Sequence, residues 1–530
     1  MSTAYIIPQN LLSGEQRKIL DTFCGSFLGT ENLPKLAELL RREFGIEMIL
    51  DSDVIAGFAT DSSNLTGRAD AIVRPQTEFD CAVVLRACHQ AGIPATVSGG
   101  KSNLTGSATP AGGVVISTVR MLALGAVDLC SRTVCVQPGV IIEDLRKKVL
   151  ESTAGELEFP VDPTSRAEAT IGGGIACNCS GFTPGDSGAL RSWLKSLRFL
   201  LPDGSMICAE RGQYISENGM FLLGEKQWPV PRYERPKIKN AGGPYSSPDG
   251  AVDLIDLIVG SEGVFGLVTE CTVRLTPRPS AYLDIFFSLP SESEALCLLE
   301  TVLRKYNGDL SGLKAFEYFG VNCRNHMMHQ DLFFHGGDSV GVYIQEPLFE
   351  KDEMDAAEEW LEILADADLE LDESAIIMLD TDRLRTLFME ARHSMPAHAL
   401  EVAHQRDSFT IMTDTVVPPD RFREFLGFTH GLLSEKKLDY ISFGHLGDCH
   451  LHFTLLPHKE QLADAVAAYD LIIAKSAALH GVYSGEHGTG KRKRKDFLYC
   501  YGPDAVAQIR RCKEAVDPEL LLNRGNVFEV

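Results

Sequence analysis

Three histidines and an aspartate fall within eleven residues, FGHLGDCHLHF at 443–453, the densest set of ligand-type side chains in the chain. Residues two apart on a flat strand share a face, so His450 and His452 have a spacing suited to one metal ion. His445, seven residues before His452, falls on the opposite face unless a turn or bulge at Gly447–Asp448 resets the alternation. Without a metal, the same residues make a half-buried polar strand. A second stretch, SGEHG at 484–488, sets Glu486 beside His487 between glycines. A carboxylate there can complete a ligand set. An imidazole that titrates near neutral pH can take a proton from a substrate hydroxyl.

Two glycine-rich stretches imitate nucleotide loops. GKS at 100–102 ends like a phosphate-binding P-loop, but the glycine required six residues before the lysine is Ala95. GEHGTGKR at 485–492 has both glycines and Lys491, but Arg492 replaces the Ser or Thr that would hold magnesium. Neither is an ATP site, and no G-x-G-x-x-G opens a helix after a strand, so a Rossmann nicotinamide site is not supported. The loop 98–107 still offers backbone N–H groups, at Ser98, Gly99, Gly100, Ser102 and Asn103, that can converge on an anion. TSRAEATIGGGIACNCSG at 164–181 is a second bare stretch. Bare backbone at two places implies that something large and flat approaches closely, which fits a phosphate-bearing cofactor.

The chain that positions these groups has 530 residues, 44% hydrophobic and 23% charged, with a formal net charge of −23. That length suits two or three domains. The acidic balance disfavours nucleic acid and anionic lipid, so a small anionic substrate needs a local positive site. No stretch approaches the ~20 apolar residues of a membrane span. The start, MSTAYIIPQNLLSGEQ, lacks the basic-then-apolar order of a secretory leader. The 14 scattered cysteines include no CxxC pair, which predicts reduced thiols, no iron–sulfur cluster and a cytoplasmic protein. Cys177 and Cys179 read as packing thiols.

Helical spacing runs through residues 12–50, including LPKLAELLRREFG. From 68, the strands AIVRP, IPATVSGG, GGVVIST and TVCVQPG alternate with glycine turns, and the helix EFDCAVVLRACHQAG lies between the first two. LKSLRFLLPDG predicts a strand and turn. DLIDLIVGSEGVFGLVTECTVRLTP predicts a helix, a turn and a strand, and TPRPS at 276–280 a linker. YLDIFFSLP, SESEALCLLETVLRKYNG and KAFEYF then read strand, helix, strand. An acidic helix pair follows over 349–372, YISFGHLGDCHLHFTLLP is strand-like, and from 459 the pattern is helical up to the tail DPELLLNRGNVFEV.

These blocks resemble the FAD-linked oxidase family of the vanillyl-alcohol-oxidase/PCMH type, in the branch of the D-lactate and D-2-hydroxyglutarate dehydrogenases and the flavin-binding subunit of glycolate oxidase. Nine motifs follow the family's order: SGGKSNLTGSATPAGGVVIST, VQPGV, DPTSRAEATIGGGIACNCSG, LPDG, KNAGG, GSEGVFGLVTE, FGHLGDCHLHF, SGEHGTG and DPELLLN. The resemblance implies an α+β fold. A helical segment, 1–54, precedes a PCMH-type FAD-binding domain of two α/β subdomains, 55–278. A substrate or cap domain with an antiparallel sheet, 279–457, follows, and a C-terminal helical segment, 458–530, returns to the flavin.

By the same resemblance the FAD pyrophosphate and isoalloxazine are held by Ser98, Gly99, Gly100, Lys101, Ser102, Asn103, Gly106 and Ser107 in the first loop. Pro163, Thr170, Gly173, Gly174, Cys177 and Ser180 serve from the second block. The segment from Glu262 to Val268 contacts the adenine side, and Asn523 approaches the flavin. The first loop reads SGGKSNLTG where the family commonly has RGGGTGLSG, and Lys101 would add a cation near the pyrophosphate. Relatives that attach flavin covalently use a histidine in or near this loop. No histidine lies between 91 and 325, so FAD is expected to be non-covalent.

The resemblance selects His445, His452 and Glu486 as metal ligands, whereas spacing alone selects His450. His450 stands where the family usually has Asn, and Cys449 where it usually has Gly. Two histidines and a carboxylate with open positions suit zinc, with manganese or iron as alternatives. A 2-hydroxy acid would chelate such an ion, His487 would act as general base, and hydride would pass to flavin N5. Arg392, in FMEARHSMP, matches the family arginine that pairs with the substrate carboxylate. The hydroxyglutarate enzymes carry a Thr one turn later and a Lys before the next Asp. Here those positions are Pro396 and Thr413, which favours D-lactate, glycolate or an apolar or aromatic 2-hydroxy acid. His393 and His398 lie near Arg392 in sequence.

The expectation is a dehydrogenase that passes electrons to an electron-transfer flavoprotein, an iron–sulfur subunit or a quinone, cytoplasmic and peripheral to a membrane only through such a partner. A homo-oligomer is compatible with it. Two other readings stay open. One is a transferase of the alkylglycerone-phosphate-synthase type, whose run of adjacent histidines is absent here. The other is a non-catalytic flavin-binding subunit, suggested by Cys449, His450 and Arg524, the last standing where the family often has Pro.

Overall fold

The computed structural model of the protein describes residues 3–26 and 29–530. Met1 and Ser2, part of the leader reading, and Phe27 and Leu28, part of the helical reading of 12–50, lie outside the described residues.

The helix Leu33–Phe44 forms because Leu33, Leu36, Leu39 and Leu40 recur at helical spacing and are all buried. Gly45, at φ 70°, ends it in the left-handed conformation. The helix Glu78–Ala91 opens with reciprocal side-chain-to-backbone bonds between Thr77 and Asp80. Both helices, with Gly14–Cys24, share a core with a four-stranded sheet ordered Met48–Ile49, Ala71–Val73, Val114–Ser117, Ala95–Ser98. The last three strands are parallel, and Met48–Ile49 adds an antiparallel edge where helix was expected.

A second sheet is antiparallel throughout: Thr133–Val136, Leu267–Arg274, Leu194–Leu200, Met206–Glu210. Its core takes in the helices Ile142–Ser152 and Ile171–Cys177 and the C-terminal helix Arg494–Val516, which kinks at Gly502. The tail returns to the first sheet, where Asn523 N–H donates to the Ala95 carbonyl at 2.7 Å.

The largest sheet has eight strands, and its main path runs Ile376–Met378, Ala281–Leu289, Val340–Leu348, Ala315–Phe319, Tyr440–His445, His450–Leu455, Ile411–Met412. Thr415–Val416 also pairs with His450–Leu455. Strand alternation sorts its two faces. Leu283, Ile285, Phe287, Phe316, Tyr318, Leu451, Phe453 and Leu455 enter a core shared with helices such as Glu292–Lys305 and Leu462–Ala478. Phe286, Ala315 and Phe319 face the other way, towards the 24-residue helix Asp382–Gln405.

This is the mixed α+β architecture expected from the sequence, with two further local corrections. The acidic stretch 349–372 forms one helix, Glu353–Asp366, because the chain turns at Asp368 (φ 57°) and resumes only as a single turn at Glu373–Ala375. TPRPS is not a free linker, since Thr276–Pro277 pairs with Leu157–Glu158. All fourteen cysteines are free thiols. Among the described residues, no helix is long and apolar enough to cross a membrane.

Candidate active site

Tyr440–His445 and His450–Leu455 form an antiparallel hairpin with His445 opposite His450 and Phe443 opposite His452. The chain reverses through Leu446–Asp448 and Cys449, the latter at φ 52°. The reversal resets the alternation, so all three imidazoles share the face that points away from the apolar core. One ligand-type atom from each of His445, His450, His452 and Glu486 lies within 4.8 Å of the others. The histidine that spacing selects and the ligands that the resemblance selects are parts of one cluster.

Each ring is fixed from outside the cluster. His445 Nδ1 lies 2.5 Å from Glu317 Oε1, and its Nε2 lies 2.8 Å from Glu486 Oε1. His452 Nδ1 donates to the Thr413 carbonyl at 3.0 Å, and His450 Nε2 lies 2.9 Å from Asp414 Oδ1. His487 stacks on His452 with centroids 5.4 Å apart, and its Nδ1 lies 3.4 Å from Asp414 Oδ2. Asp414 is wholly buried and accepts from Ser484 Oγ, from Lys493 Nζ and from the backbone N–H groups of Glu486 and His487. It thereby anchors the SGEHG turn to the sheet.

Glu486 Oε1 also accepts from Lys239 Nζ at 2.7 Å and from Ser180 Oγ at 3.4 Å, and Lys239 reaches Asp448 Oδ2 at 3.2 Å. Burial opposes ionisation of Glu486, but Lys239 and His445 outweigh it and hold its carboxyl well below the usual range. Burial likewise disfavours charge on His445, yet Glu317, aided by Glu486, raises it to about 9. His452 is pushed down to about 3 by burial, with His450 and His487 adding to it. Burial also holds His487 below its ordinary value, with Asp414 opposing.

Arg392, on the helix Asp382–Gln405, donates through Nη2 to Glu317 Oε2 at 2.7 Å, and its guanidinium lies 4.2 Å over the Phe182 ring. Glu317 therefore links Arg392 to His445, and burial is overridden by these two cations to hold its carboxyl at about 2. Sequence reasoning alone misses Lys239, Glu317, Asp414 and Lys493. The motif KNAGG gives its lysine no role of its own. The available signal for Glu317 is that it is the one acid inside the apolar strand KAFEYF.

A cavity of about 680 Å³ extends from the glycine loops to this cluster. Gly99, Gly100, Lys101, Ser102, Asn103 and Ser107 line it, as do Pro163, Thr170, Gly173, Gly174, Cys177, Ser180, Glu262, Val268 and Asn523. His445, His452, Glu486, His487 and Arg392 line its other end. Ser98 and Gly106 do not line it. Ser98 is buried at the end of its strand, and Gly106 (φ 81°) turns the chain against Leu65. His393 and Pro396 border the cavity, whereas His398 packs 4.9 Å from the His326 ring and is not part of the lining. Thr413 is likewise absent from the lining, its hydroxyl accepting from Phe453 N–H.

The backbone N–H groups of Gly100, Lys101, Ser102 and Asn103 donate to no protein acceptor among the described residues. Four free donors in a row, with Lys101 at φ 58°, make a nest that fits a phosphate group. Lys101 lines the cavity beside this nest, and its ammonium donates to the Gly57 carbonyl at 2.6 Å, next to the Phe58 ring. Glu262 accepts from Thr489 N–H and Gly490 N–H, each at 2.6 Å, and from Ser107 Oγ at 2.7 Å. The P-loop look-alike thus closes on an internal carboxylate. Asn523 accepts from Val97 N–H and donates to the Gly263 carbonyl, tying the tail to both loops.

Residues 69–209 match the family model of an FAD binding domain, and 347–527 that of the FAD linked oxidases, C-terminal domain. The D-lactate dehydrogenase of Anaerostipes hadrus is 25% identical over 505 residues, 93% of this chain and 97% of that protein. The D-2-hydroxyglutarate dehydrogenase of Xanthomonas citri pv. viticola is 27% identical, over 87% of this chain and 89% of that one. Among solved structures, p-cresol methylhydroxylase with substrate bound matches with a TM-score of 0.68 and 14% identity over 99% of both chains. An alkyldihydroxyacetonephosphate synthase matches with a TM-score of 0.65 and 15% identity, over 93% of this chain and 84% of that one. At such identities the likeness to these structures is one of fold. With both family models matched in order along one chain, over a PCMH-type fold, the protein belongs to the FAD-linked oxidase family.

Proposed function

We propose that the protein is a dehydrogenase that oxidises a D-2-hydroxy acid with a small or apolar side chain, of the D-lactate or glycolate kind, to the 2-oxo acid. The observation that carries this reading is that one cavity joins a nest of free N–H groups, an imidazole–carboxylate cluster and the Arg392 guanidinium. Similarity to D-lactate and D-2-hydroxyglutarate dehydrogenases at about a quarter identity supports it. Bound FAD would supply the hydride acceptor, and a divalent ion (zinc, or else manganese or iron) on His445, His452 and Glu486 would supply the charge that acidifies the substrate hydroxyl. The donor set fits such an ion, because each imidazole has one nitrogen tied to an outer acceptor and the other left for the cluster.

The chain's own groups do the rest. Arg392 spends one donor on Glu317 and keeps the others for the substrate carboxylate. His487 is held neutral at physiological pH, and with Nδ1 turned to Asp414 it has Nε2 to receive the hydroxyl proton. Met395, Pro396, Met412 and Phe443 add apolar side chains to the cavity lining. Lys101 and Arg392 are the lysine and arginine of the lining, and Arg392 stands at the hairpin end beside the imidazoles, which suits the carboxylate of a 2-hydroxy acid. Neither glycine block carries a histidine, consistent with non-covalent FAD. Electrons would leave to an electron-transfer flavoprotein, an iron–sulfur subunit or a quinone.

The test is anaerobic titration of the purified flavoprotein with D- and L-2-hydroxy acids, with and without added metal. Bleaching of the flavin by a monocarboxylic D-acid is expected. A flavin that none of them reduces overturns the assignment.

A further inference from the structure

We infer that His450 is a third imidazole ligand of the hairpin site, so that this chain offers a divalent ion three histidine nitrogens and one carboxylate oxygen. This rests on the proposed reading that the cluster holds an ion, and it changes the ligand set and with it the class of metal.

His450 is completely buried. Its Nε2 faces Asp414 Oδ1 at 2.9 Å. Asp414 is already the acceptor for the Ser484 hydroxyl, the Lys493 ammonium and two backbone N–H groups, so it has only lone pairs to offer, and the proton must sit on His450 Nε2. In the neutral imidazole the other nitrogen, Nδ1, then carries the lone pair. His450 Nδ1 has no hydrogen-bond partner, although buried polar atoms are nearly always satisfied. It lies 3.9 Å from Glu486 Oε1, too far for a hydrogen bond but within the span of the four converging ligand atoms.

The arrangement around Asp414 and His450 repeats that of Glu317 and His445, a carboxylate fixing one ring nitrogen while the other faces the cluster. The ring also has space made for it. A Cβ on Gly485 would stand 2.8 Å from His450 Cε1 and Nε2, so the bare backbone of SGEHG admits the imidazole.

Four protein ligands would fill a tetrahedral zinc ion and leave no position for substrate. A six-coordinate ion such as Fe²⁺ or Mn²⁺ would keep two, the number a hydroxyl and a carboxylate of one 2-hydroxy acid require. The site is therefore assigned to a six-coordinate divalent ion.

The experiment compares metal retention in the full-length flavoprotein and its His450→Asn and His445→Ala variants. Each is loaded with Mn²⁺, dialysed against graded chelator and assayed for bound metal. X-ray absorption on the Mn²⁺-loaded wild type counts imidazoles without any substitution. Three imidazoles, and at least about 10-fold weaker retention in His450→Asn, are the expected results. Two imidazoles, or His450→Asn retention equal to wild type beside a deficient His445→Ala, overturns the role of His450 and leaves the metal reading intact. Wild type that retains no more metal than His445→Ala overturns both. If His450→Asn fails to fold and loses its flavin, the imidazole count on the wild type decides.

Discussion

The two ends of the cavity are built from different parts of the chain's chemistry. At the glycine end the groups presented are main-chain N–H donors from Gly100 to Asn103, and side chains such as Glu262 and Asn523 are used up in holding loops together. At the hairpin end the groups presented are side chains, and nearly every one is gripped by a second charged or polar residue behind it. Main chain can be supplied by almost any residue without a clashing Cβ, so identity matters little there and space matters much. A buried charged cluster reverses this, because each atom has a named partner that is left exposed to the low dielectric when it goes.

The contrast breaks hardest at His487. Replacing it with Asn should lower kcat by about 10²–10⁴-fold, the usual contribution of a general base, while the flavin spectrum of the resting protein stays unchanged. A loss confined to KM would remove His487 from the proton path. Next comes Lys239→Met, which strands Glu486 and Asp448 with a side chain only 4% exposed between them. Breaking a buried pair on one side costs about 3–5 kcal/mol, to be read as the chemical-denaturation free energy of the metal-stripped protein.

At the other end, Gly100→Ala would bring a Cβ to 2.1 Å from the Glu168 carbonyl oxygen. Overpacking of about 1–3 kcal/mol should appear as roughly 10- to 100-fold weaker FAD retention, with the hairpin cluster intact. The pH profile sharpens the comparison more gently. His487 is held below its ordinary 6.5, and its base function is lost on protonation. The acid limb of kcat/KM should therefore lie below pH 6.5, with the rate falling as pH drops through it. A limb above that value would assign the proton to another group. The smallest effect is expected for Ser102→Ala, which keeps the N–H and removes only a hydroxyl. FAD affinity should change less than about 3-fold, below the ~1 kcal/mol of an ordinary hydrogen bond, and a larger loss would mean that the loop binds through side chains after all.

Much of the architecture is legible residue by residue. The leucine spacing of Leu33–Phe44, the stretch EFDCAVVLRACHQAG and the β-branched runs of the parallel strands are local signals, and these elements lie where expected. Errors come where tertiary contacts override local pattern, as in TPRPS, which is recruited by Leu157–Glu158. In the site, resemblance and spacing point to His445, His450, His452, Glu486 and His487, because histidines and glycine-flanked acids are rare enough to notice. Lys239, Glu317 and Lys493 are common residue types in ordinary contexts. Their meaning comes only from the partner that burial forces on them. Lys101 shows the same, a cation in a glycine loop whose contact with the Gly57 carbonyl no local pattern announces.

By itself, then, the sequence determined which side chains with chemical capability exist, how its helices and strands begin and end, and which family it resembles, because periodicity, caps and motif order are read along the chain. Only the tertiary structure decided that the hairpin turn sets three imidazoles on one face, that residues 239, 317, 414 and 486 meet around them, and that His450 Nδ1 is left without a partner. Those are outcomes of packing between segments far apart in the chain, and the geometry of a buried pair is set by what surrounds it and by nothing local to either residue.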